Sequence, residues 1–392
     1  MAMAYKNNSK RKIINSKLTK KVILIIFFIL IVLNILSTIL SSSEKYLKFN
    51  FWQTFPNLKK VYLESQYVNK HPKGWIPDEV LNSYAGGEYI RGINPILIDS
   101  STPPIGRYLI GLSEIIFNNA NIASLIFSVL SLFLMYLIGK QIFQNNLIAV
   151  VPPFLLSFEP IFKNQLVYSP LLDIFQLVFL LGSFYYFNKA LNSKKIILYF
   201  VVASLFLGLF ISTKFFITGT TIVAAWVFIL LFRKEWLKLK MLFLTLPLSI
   251  FILLLSYIRV LSFDYTINKF LGIQKYVFLY HKSQLILPLS IWPLLLLNKW
   301  YVWFGNIPII SDPQWLITWP LVTIISIIAI LLYLLNKIPK NKNVEVLMTW
   351  FVFYVLFFSF GQISSRYFVI LIPVLYIISL YGIVSLYKIY KK

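Results

Sequence analysis

Apolar runs of about 17 to 23 residues recur along the chain, and that length matches what an α-helix needs to cross the hydrocarbon core of a bilayer. The pattern predicts spans at about 22–40, 121–138, 147–163, 171–188, 196–213, 215–232, 240–258, 316–336, 344–361 and 367–388. A shorter apolar run, 104–118, is interrupted by Arg107, Gly111 and Glu114, which suits a re-entrant or interfacial helix better than a full crossing. The fold class is therefore an all-α polytopic membrane bundle of about 10–11 transmembrane helices. A β-barrel would instead show short alternating segments. The polar stretches divide the chain into a basic tail (1–21), an N-terminal membrane module (22–258) with a long first external loop (41–103), a second external segment (259–315) and C-terminal helices (316–392).

Composition sharpens this picture. The chain is 59% hydrophobic and only 13% charged, which excludes a soluble globular domain. Its net charge of +24 does not point to nucleic acid, because the lysines sit in short loops. Lys189, Lys194 and Lys195, then Arg233, Lys234, Lys238 and Lys240, then Lys337, Lys340 and Lys342 all fall on one side if 104–118 does not span, as the positive-inside rule requires. The first 21 residues are basic and the apolar run after them lacks an evident cleavage site, so it reads as an uncleaved first span. With no cysteine there is neither a disulfide nor thiolate-bound metal. P-loop, HExxH and GxSxG motifs are absent, as is an obvious internal repeat.

Of the 13 acidic residues, only Glu235 and Glu345 fall on the basic side. Asp78, Glu79, Glu88 and Asp99 crowd into the loop after the first span, beside Arg91, Arg107, Pro103 and Pro104. The adjacent pair Asp78-Glu79 is either a helix start favoured by the dipole or a general base with its supporting carboxylate. Asp173, at a span border, is a helix cap or a functional intramembrane carboxylate. Lys214 and Arg366 lie on the external side, where the charge rule gives them no reason to be; they snorkel or hold a lipid phosphate. Arg107, at the start of the re-entrant run, is a further anion-binding candidate, and His281 is a structural hydrogen bonder or a substrate contact. A carboxylate base facing several cations over apolar helices suits transfer from a phosphate-linked lipid donor to a hydroxyl. No cofactor is called for; the carboxylate pair could take Mg²⁺ or Mn²⁺, but one adjacent pair does not demand a metal.

At these residues the chain resembles the protein O-mannosyltransferases, within the GT-C class of membrane glycosyltransferases. Asp78-Glu79, Tyr89, Asp99 and Thr102-Pro103-Pro104-Ile105-Gly106-Arg107 follow that family's motif order. Leu171-Leu172-Asp173, Ser212-Thr213-Lys214, Ser290-Ile291-Trp292-Pro293, Gly305-Asn306-Ile307-Pro308 and Arg366-Tyr367-Phe368 continue it. The resemblance implies a polyprenyl- or dolichyl-phosphate sugar donor, typically of mannose, and Ser/Thr hydroxyls of proteins as acceptors. It also implies inversion, Asp78 as base with Glu79 in support, and Tyr89, Asp99, Arg107, Asp173, Lys214, His281 and Arg366 as substrate-binding residues. A prokaryotic plasma membrane with the site on its external face is the implied setting. Thr102 stands where the family has His, Pro170 where Arg is usual, and 259–315 is too short for the soluble domain of eukaryotic members. Aminoarabinose-type transferases share this layout but glycosylate lipids, and they are the alternative. A transporter of lipid-linked sugars would need polar groups at the midplane and repeat symmetry.

Overall fold

The computed structural model describes residues 2–72, 74–263, 266–282, 287–302, 308–361 and 363–391, the side chains of 2–17 and 280–282 excepted. Among the described residues, six helices are long and apolar enough to cross a membrane. These are the Leu18–Ser41 part of α1 (Ala2–Ser41), α5 (Asn121–Phe143), α8 (Asp173–Asn192), α11 (Trp236–Ser256), α15 (Lys342–Ser359) and the last helix, whose span is Ser365–Tyr390. A seventh is formed if α6 (Asn146–Phe158) and α7 (Pro160–Val167) count as one span bent by 59°. Pro160 stands at the first position of α7, where its missing N–H costs nothing but the preceding helix must stop. The remaining expected spans are shorter apolar helices, α9 (Ile196–Ile211), α10 (Phe216–Phe232) and α14 (Thr318–Leu334).

Burial sorts the helices. α8 is apolar all round and buried on every face, as is most of α16 (Phe368–Tyr390). Such a helix belongs at the centre of a bundle. α1 and α11 are outer helices whose Ile25, Leu33, Ile250 and Phe251 face outward, as lipid contact permits. At one end of the bundle the basic loops meet: Lys238 donates to the Leu191 carbonyl, Arg233 pairs with Glu345, and Lys342 reaches Glu235 at 3.2 Å. Both acidic residues assigned to the basic side are therefore ion-paired there.

The opposite end differs from the loop expected for 41–103. After a π-helical turn at Glu44–Lys48, the chain folds into α2 (Phe51–Leu63) and α3 (Asp78–Ile90), which pack on α4 (Ile105–Phe117) over their own core of Phe51, Phe55, Tyr62, Leu81 and Tyr84. Asn50 caps α2 by accepting from the Gln53 N–H at 3.1 Å. α4 is only 13 residues long, about 20 Å, and so too short to cross. Its backbone touches that of α3: a Cβ on Gly111 would lie 2.4 Å from the Gly86 carbonyl oxygen. Past α11, the second polar segment holds α12 (Ile267–Lys282), α13 (Ile291–Leu297) and an antiparallel pair, β1 (Trp300–Tyr301) with β2 (Ile309–Ile310).

Candidate functional site

Asp78 opens α3. The chain reaches it through an extended Pro77, after the Ile76 N–H has been tied to Gln66 Oε1 at 3.1 Å. Its carboxylate Oδ2 lies 2.6 Å from a guanidinium nitrogen of Arg366, and both side chains remain partly exposed. Burial alone would raise the Asp78 pKa, but the adjacent Arg366 charge and hydrogen bond, helped by Lys214 and Arg107, hold it below the ordinary carboxylate value. Arg366 sits on the single turn Ser365–Tyr367 immediately before α16. Glu79 is next to Asp78 in the same first turn, within electrostatic reach of Lys45.

Beside this pair is a second one. Asp173, 3% exposed at the head of α8, accepts from Lys214 Nζ at 2.5 Å. The ammonium also lies 5.0 Å from the ring centre of Tyr367, the residue after Arg366. Arg366 feels both Asp173 and Asp78. Four elements thus bring Asp78, Arg366, Asp173 and Lys214 into one alternating array of charge.

Arg107 is held differently. It is 3% exposed, and its guanidinium donates to Asp99 Oδ2 at 2.5 Å, to Asn82 Oδ1 at 3.1 Å and to the Tyr89 hydroxyl at 3.3 Å. Burial opposes its charge, but Asp99 and Tyr89 outweigh burial and keep it protonated. Asp99 is itself fixed by the Ser101 N–H at 2.8 Å. Asn82 also donates to the Pro170 carbonyl at 3.1 Å, linking this knot to the turn that precedes Asp173. Gly106 lets the knot approach: a Cβ there would lie 2.7 Å from Leu172 and 3.0 Å from Thr213, while the Ile105 N–H bonds the Ser212 carbonyl at 3.0 Å.

Two apolar recesses flank these groups. One, of about 660 Å³, lies among Phe278, Phe353, Phe357 and Ile370, with Asp173, Lys214 and Tyr367 in its wall. The other, of about 500 Å³, lies between α4, α9 and α11 and carries Tyr108 and Arg259. The guanidinium of Arg259 rests against Gly92, whose φ of +99° and missing Cβ make the room. The three cations singled out in the sequence all have carboxylate partners, Arg107 with Asp99, Lys214 with Asp173 and Arg366 with Asp78. Among the described residues, Arg259 has none.

The sequence-read candidates thus gather at one end of the bundle: Asp78, Glu79, Tyr89, Asp99, Arg107, Asp173, Lys214 and Arg366. The His281 side chain and Gly305-Asn306-Ile307 lie outside the described residues. Arg259 and Asn82 were not singled out; an Asn in a helix and an Arg after a span carry no motif of their own. Glu159, just before Pro160, carries no motif either. It is 2% exposed at the α6–α7 bend and accepts from Thr318 at 3.1 Å, Trp319 at 3.0 Å and the Tyr376 hydroxyl, so it fastens the bend to α14 and α16. No three acidic or histidine side chains cluster to hold a metal among the described residues.

Comparison with known proteins extends these findings. Residues 101–258 match the sequence profile of the dolichyl-phosphate-mannose-protein mannosyltransferase family, meeting the resemblance drawn from the motifs. A search of curated protein sequences returns no match. The structure is similar to that of ArnT from Cupriavidus metallidurans bound to undecaprenyl phosphate, with a TM-score of 0.57 and 13% identity over 86% of this chain. The chain spans 61% of that protein's length. A more distant likeness, TM-score 0.46 and 15% identity over 74% of this chain and 43% of the other, is to the archaeal oligosaccharyltransferase AglB from Archaeoglobus fulgidus, solved with an inhibitory peptide and a dolichol-phosphate. The fold is that of the GT-C membrane glycosyltransferases.

Proposed function

We propose that the protein is a membrane glycosyltransferase moving a sugar from a polyprenyl- or dolichyl-phosphate donor to a hydroxyl, with Asp78 as the base. The observation that carries this reading is the alternating array of Asp78, Arg366, Asp173 and Lys214 at one end of the bundle, with Asp173 and Lys214 in the wall of an apolar recess. Asp78 is kept ionised by Arg366 and is partly exposed, so it can take a proton from an acceptor hydroxyl. The oxygen then attacks the anomeric carbon from the face opposite the phosphate. The bond from that carbon to the phosphate oxygen breaks, the configuration inverts, and the lipid phosphate leaves with the electron pair. A phosphate leaving group needs a cation rather than a proton donor. Because Arg107, Lys214 and Arg366 are already neutralised, the guanidinium of Arg259 is the best-placed phosphate ligand among the described residues, with the isoprenoid chain in the recess beside it. Arg366 offers remaining N–H groups to the same charge as it builds. Arg107, with Asp99, Tyr89 and Asn82, acts as the buried clamp that keeps α3 and α4 in register rather than as a phosphate ligand.

The match to the mannosyltransferase family supports mannose as the sugar and Ser/Thr of proteins as acceptor, while the lysine-rich loops at the other end of the bundle support a site on the external face and the short 259–315 segment supports a prokaryotic plasma membrane. A lipid acceptor is the second reading. The observation that favours it is the 660 Å³ apolar recess beside Asp173 and Lys214, which is large enough for hydrocarbon chains. The test uses membranes containing the protein and polyprenyl-phosphate mannose labelled in the sugar. Label on polypeptide, released by mild alkali, is the expected result. Label appearing on lipid would move the acceptor to the second reading, and no transfer to either would refute the enzyme.

A further inference from the structure

At the basic end of the bundle, away from the charge array around Asp78, two helices leave an amphiphilic notch between them. α9 runs from that end to Ser212, whose carbonyl is bonded by the Ile105 N–H, so only its start lies at the notch. α11 lies against it. The Ser204 and Thr245 hydroxyls join the two at 3.1 Å, and the Ser249 hydroxyl donates to the Ser204 carbonyl at 2.7 Å. Where both helices begin, a recess of about 300 Å³ opens. Lys194 and Lys195 line it from the loop before α9, Ile197 and Leu198 from the first turn of α9, and Leu237 and Met241 from α11. The last two are four residues apart and so share one helix face. Ile197, Leu198 and Leu237 are each more than half exposed, and so is Trp236, which opens α11 as an interfacial aromatic does.

The acids at this end are already engaged. Glu345 pairs with Arg233, and Glu235 takes Lys238 at 2.6 Å and Lys342 at 3.2 Å. Among the described residues, Lys194 and Lys195 have no carboxylate partner, so two adjacent ammonium groups stand unneutralised beside exposed apolar side chains. We propose that this recess is a binding site for an anionic phospholipid. Its phosphate would lie at Lys194 and Lys195, and the start of its chains against Ile197, Leu198, Leu237 and Met241. A free phosphate would use the lysines and leave the apolar wall uncovered, whereas a zwitterionic lipid brings its own cation towards them. A basic recess between membrane helices on the lysine-rich side is the setting in which acidic headgroups are held. The volume accepts a phosphoglycerol group and the first carbons of its chains, which then run on along the exposed apolar faces of α9 and α11. A lipid bound there clasps the starts of two neighbouring helices and, as a ligand of the folded state, stabilises it. The site is separate from the transfer chemistry and stands whether or not the protein moves a sugar.

The test is equilibrium binding of the purified full-length protein, in neutral detergent micelles, to phosphatidylglycerol, phosphatidylcholine and glycerol phosphate. Wild type should bind phosphatidylglycerol most tightly, and that lipid should raise its thermal unfolding midpoint. Lys194→Gln with Lys195→Gln should weaken phosphatidylglycerol binding by roughly tenfold or more, at roughly fivefold for each lysine near a charged lipid surface. Phosphatidylcholine binding should stay unchanged. Lys337→Gln with Lys388→Gln removes the same charge from the same end outside the recess, and should leave phosphatidylglycerol binding close to that of the wild type. Equal losses in the two double variants would mean a diffuse field and overturn the site. Glycerol phosphate bound as tightly as the lipid would reduce it to a plain anion site and overturn the lipid. Met241→Gln keeps both lysines but makes the wall polar, so it decides the matter even if the lysine variant folds poorly: weaker phosphatidylglycerol binding is expected, and unchanged binding would overturn the proposal.

Discussion

Replacing Asp99 by Asn isolates the energetics of the clamp beneath the site. Asp99 and Arg107 are both 3% exposed as side chains and meet at 2.5 Å. Asn keeps an oxygen for the Ser101 N–H but leaves the guanidinium with only neutral partners, Asn82 and Tyr89. Removing one member of a buried pair costs about 3–5 kcal/mol, because a charge is left uncompensated in a poorly solvated place. The two neutral acceptors that remain put the expected loss near the lower end, about 3 kcal/mol. Adding Arg107→Met to Asp99→Asn removes the stranded charge, so the double variant should be more stable than Asp99→Asn alone. The assay is a double-mutant cycle measured by reversible unfolding in mixed micelles. A single-variant loss below about 1 kcal/mol, the range of an exposed pair, with additive effects in the double, would refute the clamp.

Further outcomes follow from the same geometry. Arg366→Ala removes the charge that holds the Asp78 pKa down, and the base works only when deprotonated. The acid limb of the kcat/KM profile should therefore move to higher pH, and an unmoved limb would contradict the pairing. Arg259→Leu should weaken donor binding by roughly tenfold or more, the worth of a charge-assisted hydrogen bond to phosphate, while Arg107→Lys should act mainly on stability; donor titrations separate the two. Gly111→Ala places a Cβ 2.4 Å from the Gly86 carbonyl, and forcing α4 off α3 should cost about 1–3 kcal/mol, read as lost stability together with lost activity.

Much of this was legible in the chain itself. Span length and lysine placement are set by the bilayer, so the helices and the common end of the basic loops could be read without knowing any contact. The carboxylates were legible because their scarcity in an apolar chain marks them. The partners were not. Asp78 meets Arg366 and Asp173 meets Lys214 only because the bundle folds those segments onto one end, and no local pattern encodes that. Arg107 was read as a phosphate ligand since a cation after Pro-Pro looks available; its neutralisation by Asp99 depends on the turn at 99–101. The stretch 41–103 read as loop because α2 and α3 alternate polar and apolar faces over a small core of their own. Arg259 gave no signal, since a guanidinium near a span end looks like an ordinary border residue.

The central claim is that Asp78 is the base, and one comparison tests it directly. Asp78→Asn keeps the side chain's size and the start of α3. With polyprenyl-phosphate mannose as donor, single-turnover transfer should fall by roughly 10²–10⁴-fold, the contribution of a positioned general base, while donor binding stays close to that of the wild type. Transfer that survives at a comparable rate would contradict the account and return the role of base to Glu79 or Asp173.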